Sequence, residues 1–326
     1  MNDKAEYRSR PGAGRSAWAI SATLSATVLS GFAPILGKFA YQAGVTPFTL
    51  VALRTTLAAG LLWAFYLLVW RRYIRIPWHL LTGCIHMGVA NGIGSLLYYS
   101  GLSRLDASLA HLLYAMYPFW VFIFLSAAGH FVSRLALVRL AMVLLSVVLL
   151  TWQGAGLIDL LGVTLMIGAG ALYGWHLVVA QWSLADVDSR TVTLYSLTTM
   201  AVVVGVAWLF QPGLIPALRT GTLTPISAQG WTAAVLLAIF PTALARLLVF
   251  AGLKRLGGFQ TSLLSIAEVL VAVAAAFLLL GDSFTAQQWI GAILFVISIL
   301  LIGRDTGLEV ADEEAWWRAL FPDHET

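Results

Sequence analysis

Four ionisable side chains, Lys38, Arg54, Arg246 and Glu268, stand inside long apolar runs of this 326-residue sequence. A charge among apolar neighbours needs a partner, water or a task, because leaving it bare in a low-dielectric medium is costly. Lys38 lies a few residues before the Gln42–Thr46 turn. It either snorkels to the membrane surface or lines a cavity. Arg54 is seven residues into its run, which predicts a structural contact with loop carbonyls. Arg246 lies too deep in its run to reach a surface cheaply, and Glu268 is the one carboxylate well inside any run. The two form a structural pair, or Arg246 holds a substrate carboxylate while Glu268 takes up and releases a proton.

Polar and aromatic residues recur around these charges at steps of three and four, the spacing that returns to one helix face. Ser108, His111, Tyr114 and Pro118 share one face, Thr261, Ser265 and Glu268 another, and Thr23, Thr27, Ser30 and Pro34 a third. Asn91, Ser95, Tyr98 and Tyr99 mark a further run, and Trp175 with His176 another. Single Ser and Thr residues often bond only their own helix backbone. His111 with Tyr114 is more informative, since an aromatic ring beside a titratable ring suits an organic solute. The candidate contacts for substrate or coupling ion are therefore Lys38, Asn91, Tyr99, His111, Tyr114, Trp175, His176, Arg246, Ser265 and Glu268.

Other chemistries lack their residues. Gly92-Ile-Gly-Ser95 has the wrong order for an intramembrane serine nucleophile, and the six histidines are too scattered for a zinc site. There is no GxxxxGK[ST] phosphate loop. One cysteine, Cys84, allows neither an intrachain disulfide nor a thiolate metal cluster. The reading is a non-enzyme with no cofactor and no metal. An intramembrane enzyme and a non-transporting receptor are the alternatives.

The elements that must position these residues follow from composition. Sixty per cent of the chain is hydrophobic and 10% charged, too few polar groups to clothe a water-facing surface. Lipid is the expected solvent and membrane lipid the expected partner. A span needs about 20 apolar residues, and ten runs qualify: Ala17–Tyr41, Pro47–Trp70, His79–Gly101, Ala107–Ala127, Leu135–Trp152, Leu160–Trp182, Thr191–Phe210, Trp231–Leu253, Gly258–Leu280 and Ala286–Ile302. Counted through ten spans, Lys4, Arg8, Arg10, Arg15, Arg71, Arg72, Arg75, Arg134, Arg139, Arg190, Lys254, Arg255, Arg304 and Arg318 fall on one side, and only Arg104 and Arg219 on the other. That bias places both termini in the cytoplasm of a multi-pass inner-membrane protein. The basic residues are dispersed through loops, so the pI near 9.3 signals topology and no nucleic acid.

An internal repeat organises the spans. Gly101-Leu-Ser-Arg-Leu105 recurs as Gly252-Leu-Lys-Arg-Leu256, 151 positions on, and Ser30-Gly31-Phe32 ending at Lys38 parallels Tyr173-Gly174-Trp175 ending at Gln181. Five spans is an odd number, so the second half must be inverted, a plan that places a site near the midplane between halves. The expected layout is a cytoplasmic tail 1–15, a first five-helix repeat 16–153, a second 154–303, and a cytoplasmic tail 304–326.

Three stretches carry a family resemblance: SGFAPILGKFAYQAGVTPFTLVALRTTLAAGLL (Ser30–Leu62), GLSRLDASLAHLLYAMYPFWVFIFL (Gly101–Leu125) and GLKRLGGFQTSLLSIAEVLVAVAAAFLLLGDSFTAQQWIGAILFVISILLIG (Gly252–Gly303). Taken in order, they resemble the ten-helix, EamA-type branch of the drug/metabolite transporter superfamily. The resemblance implies an all-α membrane protein with ten transmembrane helices, built as two inverted five-helix repeats around a central cavity. It also implies transport without ATP. YddG-like amino-acid exporters belong to the group, which makes amino acids the suggested solutes. The pattern departs from many members where an acidic residue precedes proline: here stand Tyr117-Pro118 and Glu268-Val269. The expected function is a secondary transporter exporting an amino acid or related small organic solute by alternating access, with proton coupling, as a monomer or homodimer.

Overall fold

The computed structural model describes residues 13–127, 134–151, 159–183, 187–211, 213–214, 225–252, 264 and 266–301. Ser265 and the tails 1–12 and 302–326 therefore lie outside the described residues, as do Leu253–Leu256 of the recurring motif. Among the described residues the chain is helical without strands. In order come α1 (Ala13–Gly31), α2 (Ala33–Gln42), α3 (Pro47–Leu68), a short 3-10 turn (Arg71–Tyr73), α4 (Trp78–Leu102), α5 (Ala107–Tyr114), α6 (Tyr117–Ala127), α7 (Arg134–Thr151), α8 (Leu160–Ser183) and α9 (Ser189–Leu209). Then follow α10 (Ala228–Gly252), α11 (Ile266–Leu280) and α12 (Ala286–Leu300).

With α1–α2 and α5–α6 each taken as one broken rod, these helices coincide with the ten apolar runs. Among the described residues, six rods are singly long and apolar enough to cross a membrane. Both breaks carry a proline at the start of their second piece, Pro34 in α2 and Pro118 in α6. There the missing N–H and the ring's bulk interrupt the i→i−4 ladder. Polar side chains start the rods where the chain leaves the loops. Thr46 accepts from the Thr49 amide, with Pro47 at the first helical position, and Asp188 and Ser227 open α9 and α10 in the same way. Asp159 opens α8 by accepting from the Gly162 amide at 3.0 Å, and its other oxygen meets Arg104 Nε at 2.7 Å. The Gly162 amide, with Arg104 beside it, holds the Asp159 carboxyl below its usual range.

Large apolar side chains such as Leu61, Phe65, Leu144, Val148, Val202, Val206, Ile290 and Ile293 face outward, as expected where the solvent is hydrocarbon. Close approach inside depends on small residues. A Cβ on Gly88 of α4 would collide with the Thr199 side chain and stand 2.7 Å from the Ser196 carbonyl of α9, and Gly92 packs likewise on Val203. Gly60 has open space around it. Gly88→Ala is expected to lower stability by about 1–3 kcal/mol through overpacking. Gly60→Ala should be neutral or stabilising, since glycine costs a helix up to about 1 kcal/mol. Thermal unfolding of the two purified variants in detergent checks the contrast.

The same glycines expose the relation between the halves. A Cβ on Gly101 (α4) would meet Met166 and the Gly162 carbonyl of α8, and one on Gly252 (α10) would meet Thr23 and the Ala19 carbonyl of α1. Gly101 and Gly252 are 151 positions apart, while Ala19 and Gly162, like Thr23 and Met166, are 143 apart. Gly31 (α1) packs on the Glu268 carbonyl and Val271 of α11, and Gly174 (α8), 143 positions on, packs on the Tyr117 carbonyl and Trp120 of α6. Tyr117 and Glu268, and Trp120 and Val271, are again 151 apart. These contacts between halves recur with the halves exchanged, which is two-fold pseudosymmetry. α4 runs antiparallel to α8, because Gly101, Gly94 and Met87 meet Met166, Leu172 and His176 in rising order. The third rod of the first half is therefore antiparallel to the first rod of the second, and the repeats are inverted.

Candidate functional site

Where the halves meet, the rods leave a partly open cavity. Its wall is drawn from both repeats: Ser30 of α1, Arg54 of α3, Asn91, Ser95, Tyr98 and Tyr99 of α4, and His111 and Tyr114 of α5 from the first. The second supplies Tyr173 and His176 of α8, Pro241, Arg246 and Phe250 of α10, and Glu268 of α11.

One wall is aromatic. Tyr98 and Tyr114 meet edge to face with centroids 4.8 Å apart, Tyr114 and Tyr173 tilt together at 5.5 Å, Tyr173 stacks on His176 at 5.7 Å, and His176 stacks on Phe250 at 5.9 Å. The arc presents ring faces and edges to the cavity, the surface on which organic groups and cations pack. His176 Nδ1 lies 3.0 Å from the Met87 carbonyl. A carbonyl only accepts, so Nδ1 carries the proton and Nε2 of the neutral ring is left as an acceptor.

Arg54 donates from Nη1 to Thr242 Oγ1 at 2.9 Å and from Nη2 to Ser95 Oγ, and its guanidinium lies over the Tyr99 ring, 4.6 Å from the centroid. It is 8% exposed, and its Nε has no hydrogen-bond partner among the described residues. Thr242 belongs to a π-helical turn, Ala238–Leu244, that contains Pro241, and its hydroxyl donates five residues back to the Leu237 carbonyl at 2.7 Å. Such turns widen a helix locally and gather at functional positions. Arg246 follows one turn later, its terminal nitrogens 2.7 and 3.2 Å from the Asn91 amide; with that amide turned so that its oxygen faces them, both groups are satisfied. Asn91 and Thr242, and Ser95 and Arg246, are each 151 positions apart, so the two arginines sit beside the pseudo-two-fold axis.

Glu268 lies on the opposite wall. Its Oε1 is 3.6 Å from His111 Nε2, and His111 Nδ1 is 3.2 Å from the Tyr98 hydroxyl. The first distance is longer than a hydrogen bond, yet short enough for each group to feel the other's charge. A row Tyr98–His111–Glu268 thus joins α4, α5 and α11 across the two repeats. Beyond the cavity, towards the turns at 43–46, 103–106 and 281–285, three contacts draw the rods together. Lys38 Nζ donates to the Leu105 carbonyl at 2.5 Å, and Tyr41 donates to the Tyr99 carbonyl at 2.7 Å. Asp282 Oδ2 accepts from the Ser108 amide at 2.9 Å and its hydroxyl at 2.7 Å, bridging the halves.

Of the sequence candidates, Asn91, Tyr99, His111, Tyr114, His176, Arg246 and Glu268 come together around this cavity. Lys38 does not; its ammonium is held by a carbonyl near the membrane surface. Trp175 does not either, because it sits on the far side of α8 from Tyr173 and packs edge-on against Phe124, 5.5 Å away. Ser265 lies outside the described residues. One expectation about charge is corrected: Arg54 meets hydroxyls and a ring inside the cavity, and among the described residues no loop carbonyl. Of the two readings of Arg246 and Glu268, the structural pair is not formed, since the former stands against Asn91 and the latter faces His111. Tyr173 and Phe250 are cavity residues that single-helix spacing did not flag.

A ten-rod membrane protein of two inverted repeats, with a half-polar cavity between them, is the architecture of a solute transporter. The chain belongs to the EamA-like transporter family, whose model matches residues 17–152 and 160–304. It is similar to an uncharacterized inner membrane transporter, YicL, of Salmonella typhimurium, with 35% identity over 88 residues. That match spans 27% of this chain and only 29% of the relative. It is also similar to an uncharacterized transporter, YcbK, of Bacillus subtilis, with 25% identity over 275 residues, 80% of this chain and 85% of that one. A solved structure titled only as the crystal structure of a protein shares the fold, with a TM-score of 0.61 and 20% identity over 87% of this chain and 96% of its own. The protein is thus a multi-pass membrane transporter.

Proposed function

We propose that the protein is a secondary transporter that exports a small organic metabolite, an amino acid or related solute, across the cell membrane with both termini cytoplasmic. The observation that carries this reading is the cavity between inverted repeats, lined by Arg54, Arg246, His111 and Glu268. Inverted repeats give two arrangements of similar energy that differ in which face is open, the basis of alternating access. The Ser108–Asp282 bridge and the Lys38–Leu105 contact would hold one face shut, and both must part for the solute to pass on that side. The charge bias makes that face the external one. The row Tyr98–His111–Glu268 would carry the coupling proton.

Two experiments test the reading. In proteoliposomes without ATP, a screen of amino acids, nucleosides and cationic drugs should show saturable movement of amino-acid-like solutes. Movement of none of them would overturn it. The paired change Ser108→Cys with Asp282→Cys puts two thiols where a hydroxyl and a carboxylate meet at 2.7 Å, so that a short, reducible bis-methanethiosulfonate crosslinker can join them. Crosslinking should suppress transport by at least about tenfold, as expected when the binding-competent state is only rarely reached, and reduction should restore it. Undiminished transport by the crosslinked protein would exclude opening at this face.

A further inference from the structure

Neither cavity guanidinium meets a carboxylate among the described residues: Arg54 binds two hydroxyls and a ring, and Arg246 binds one amide. Among the described residues the cavity's one carboxylate, Glu268, faces His111. Two fixed positive charges therefore stand against one acid there. Neutral dipoles satisfy the N–H groups of an arginine but not its charge. The buried Nε of Arg54 is left without a partner as well. Such a site is short of anionic oxygen, and the solute is the natural source of it.

The positions of the two cations narrow the class further. Their anchors Asn91 and Ser95 are four residues apart on α4, and Thr242 and Arg246 are four apart on α10. At about 1.5 Å of rise per residue, the two guanidiniums are fastened roughly 6 Å apart along the rods. At that separation a single carboxylate meets both forks only by dividing its two oxygens between them. Two carboxylates separated by two or three carbons, at about 1.5 Å per bond, give each fork an acid group of its own. Tyr114 and Tyr173 line the same cavity, and a phenol hydroxyl can donate to the same acid groups.

We propose that the cavity selects a small organic diacid, one carboxylate to each arginine, with an amino group accepted on the Glu268 side. This rests on the reading of the cavity as the transport site. Acidic amino acids and plain dicarboxylates share this chemistry, and the presence or absence of the amino group tells them apart.

The test uses the full-length protein and five probes: glutamate, succinate, glutamine, alanine and lysine. Each is measured for uptake into proteoliposomes and for its effect on thermal unfolding of the purified protein. Glutamate or succinate should be taken up with about a hundredfold higher kcat/KM than glutamine, because a site built for charged oxygen rejects the amide. Glutamate alone active would mean the amino group is read, and both active would mean it is not. Arg54→Gln should raise the half-saturating diacid concentration about tenfold or more, with partial rescue by Arg54→Lys, which keeps the charge if the first variant fails to fold. Glutamine, alanine or lysine moving as well as glutamate would overturn the diacid proposal and leave transport standing. A saturable thermal shift with succinate or glutamate but no movement would support the diacid site and overturn transport. Neither movement nor shift with any probe would overturn both.

Discussion

Arg246→Met is expected to abolish uptake of acid-bearing solutes while leaving the protein assembled in the membrane. Methionine keeps much of the apolar stem, so the packing of α10 against its neighbours changes little. What disappears is the forked donor. Asn91 then loses its only strong partner, but its amide faces the cavity, where water can take over. The solute carboxylate loses a charge-assisted, two-pronged contact in a low-dielectric pocket. Removing such a partner costs about 3 kcal/mol, or roughly a hundredfold in affinity at 1.4 kcal/mol per decade. The effect should appear in the half-saturating glutamate or succinate concentration, and detergent-solubilised variant should still run as a single species. Arg246→Lys separates charge from geometry. It retains the cation but offers Asn91 and the solute no planar fork, and should fall between wild type and methionine. An Arg246→Met protein that transports glutamate normally would remove this residue from the site.

The frame of this protein was legible because hydrocarbon is an unforgiving solvent. Ten apolar runs had to be helices, since only internal hydrogen bonds satisfy the backbone there, and Pro34 and Pro118 marked where two of them break. The site was legible in part. Asn91, His111, Tyr114, His176, Arg246 and Glu268 are costly in lipid, and cost is visible in sequence. Their partners were not, because partners come from other rods. Arg54 lies near its own helix end and so suggested loop carbonyls, yet it binds Ser95 and Thr242, 41 and 188 positions away. Arg246 and Glu268 looked complementary because they were the deepest opposite charges. The chain instead satisfies one with an amide and sets the other against a histidine. Tyr173 and Trp175 are two residues apart, about 200° around a helix, and only the packing of α8 on α4 and α6 decides which of them faces the cavity. The π-helical turn was similarly hidden. A proline such as Pro241 leaves the same mark in sequence whether the helix kinks or widens.

Glu268→Gln should uncouple transport from protons without stopping it. Glutamine matches the size of the carboxyl and keeps an oxygen towards His111, so the contact between α11 and α5 survives. It cannot exchange a proton at any accessible pH. If Glu268 carries the coupling proton, an imposed pH gradient will no longer drive solute uphill, whereas exchange of labelled for unlabelled solute across the bilayer will continue. Both can be read in one preparation: vesicles made acid inside, in which wild type accumulates external glutamate as protons leave, and the same vesicles preloaded with unlabelled glutamate and no gradient. The variant should lose about tenfold or more of the first signal, the usual scale for a proton-transfer group, and keep most of the second. A purely structural Glu268 predicts a different pair of results, because loosening the His111 contact would depress both signals together and lower the thermal midpoint. His111→Gln sharpens the distinction. It removes the titratable ring between Tyr98 and Glu268 and, on the relay reading, reproduces the loss of gradient-driven uptake. Unchanged accumulation by Glu268→Gln across the pH range would show that the coupling proton, if there is one, travels elsewhere.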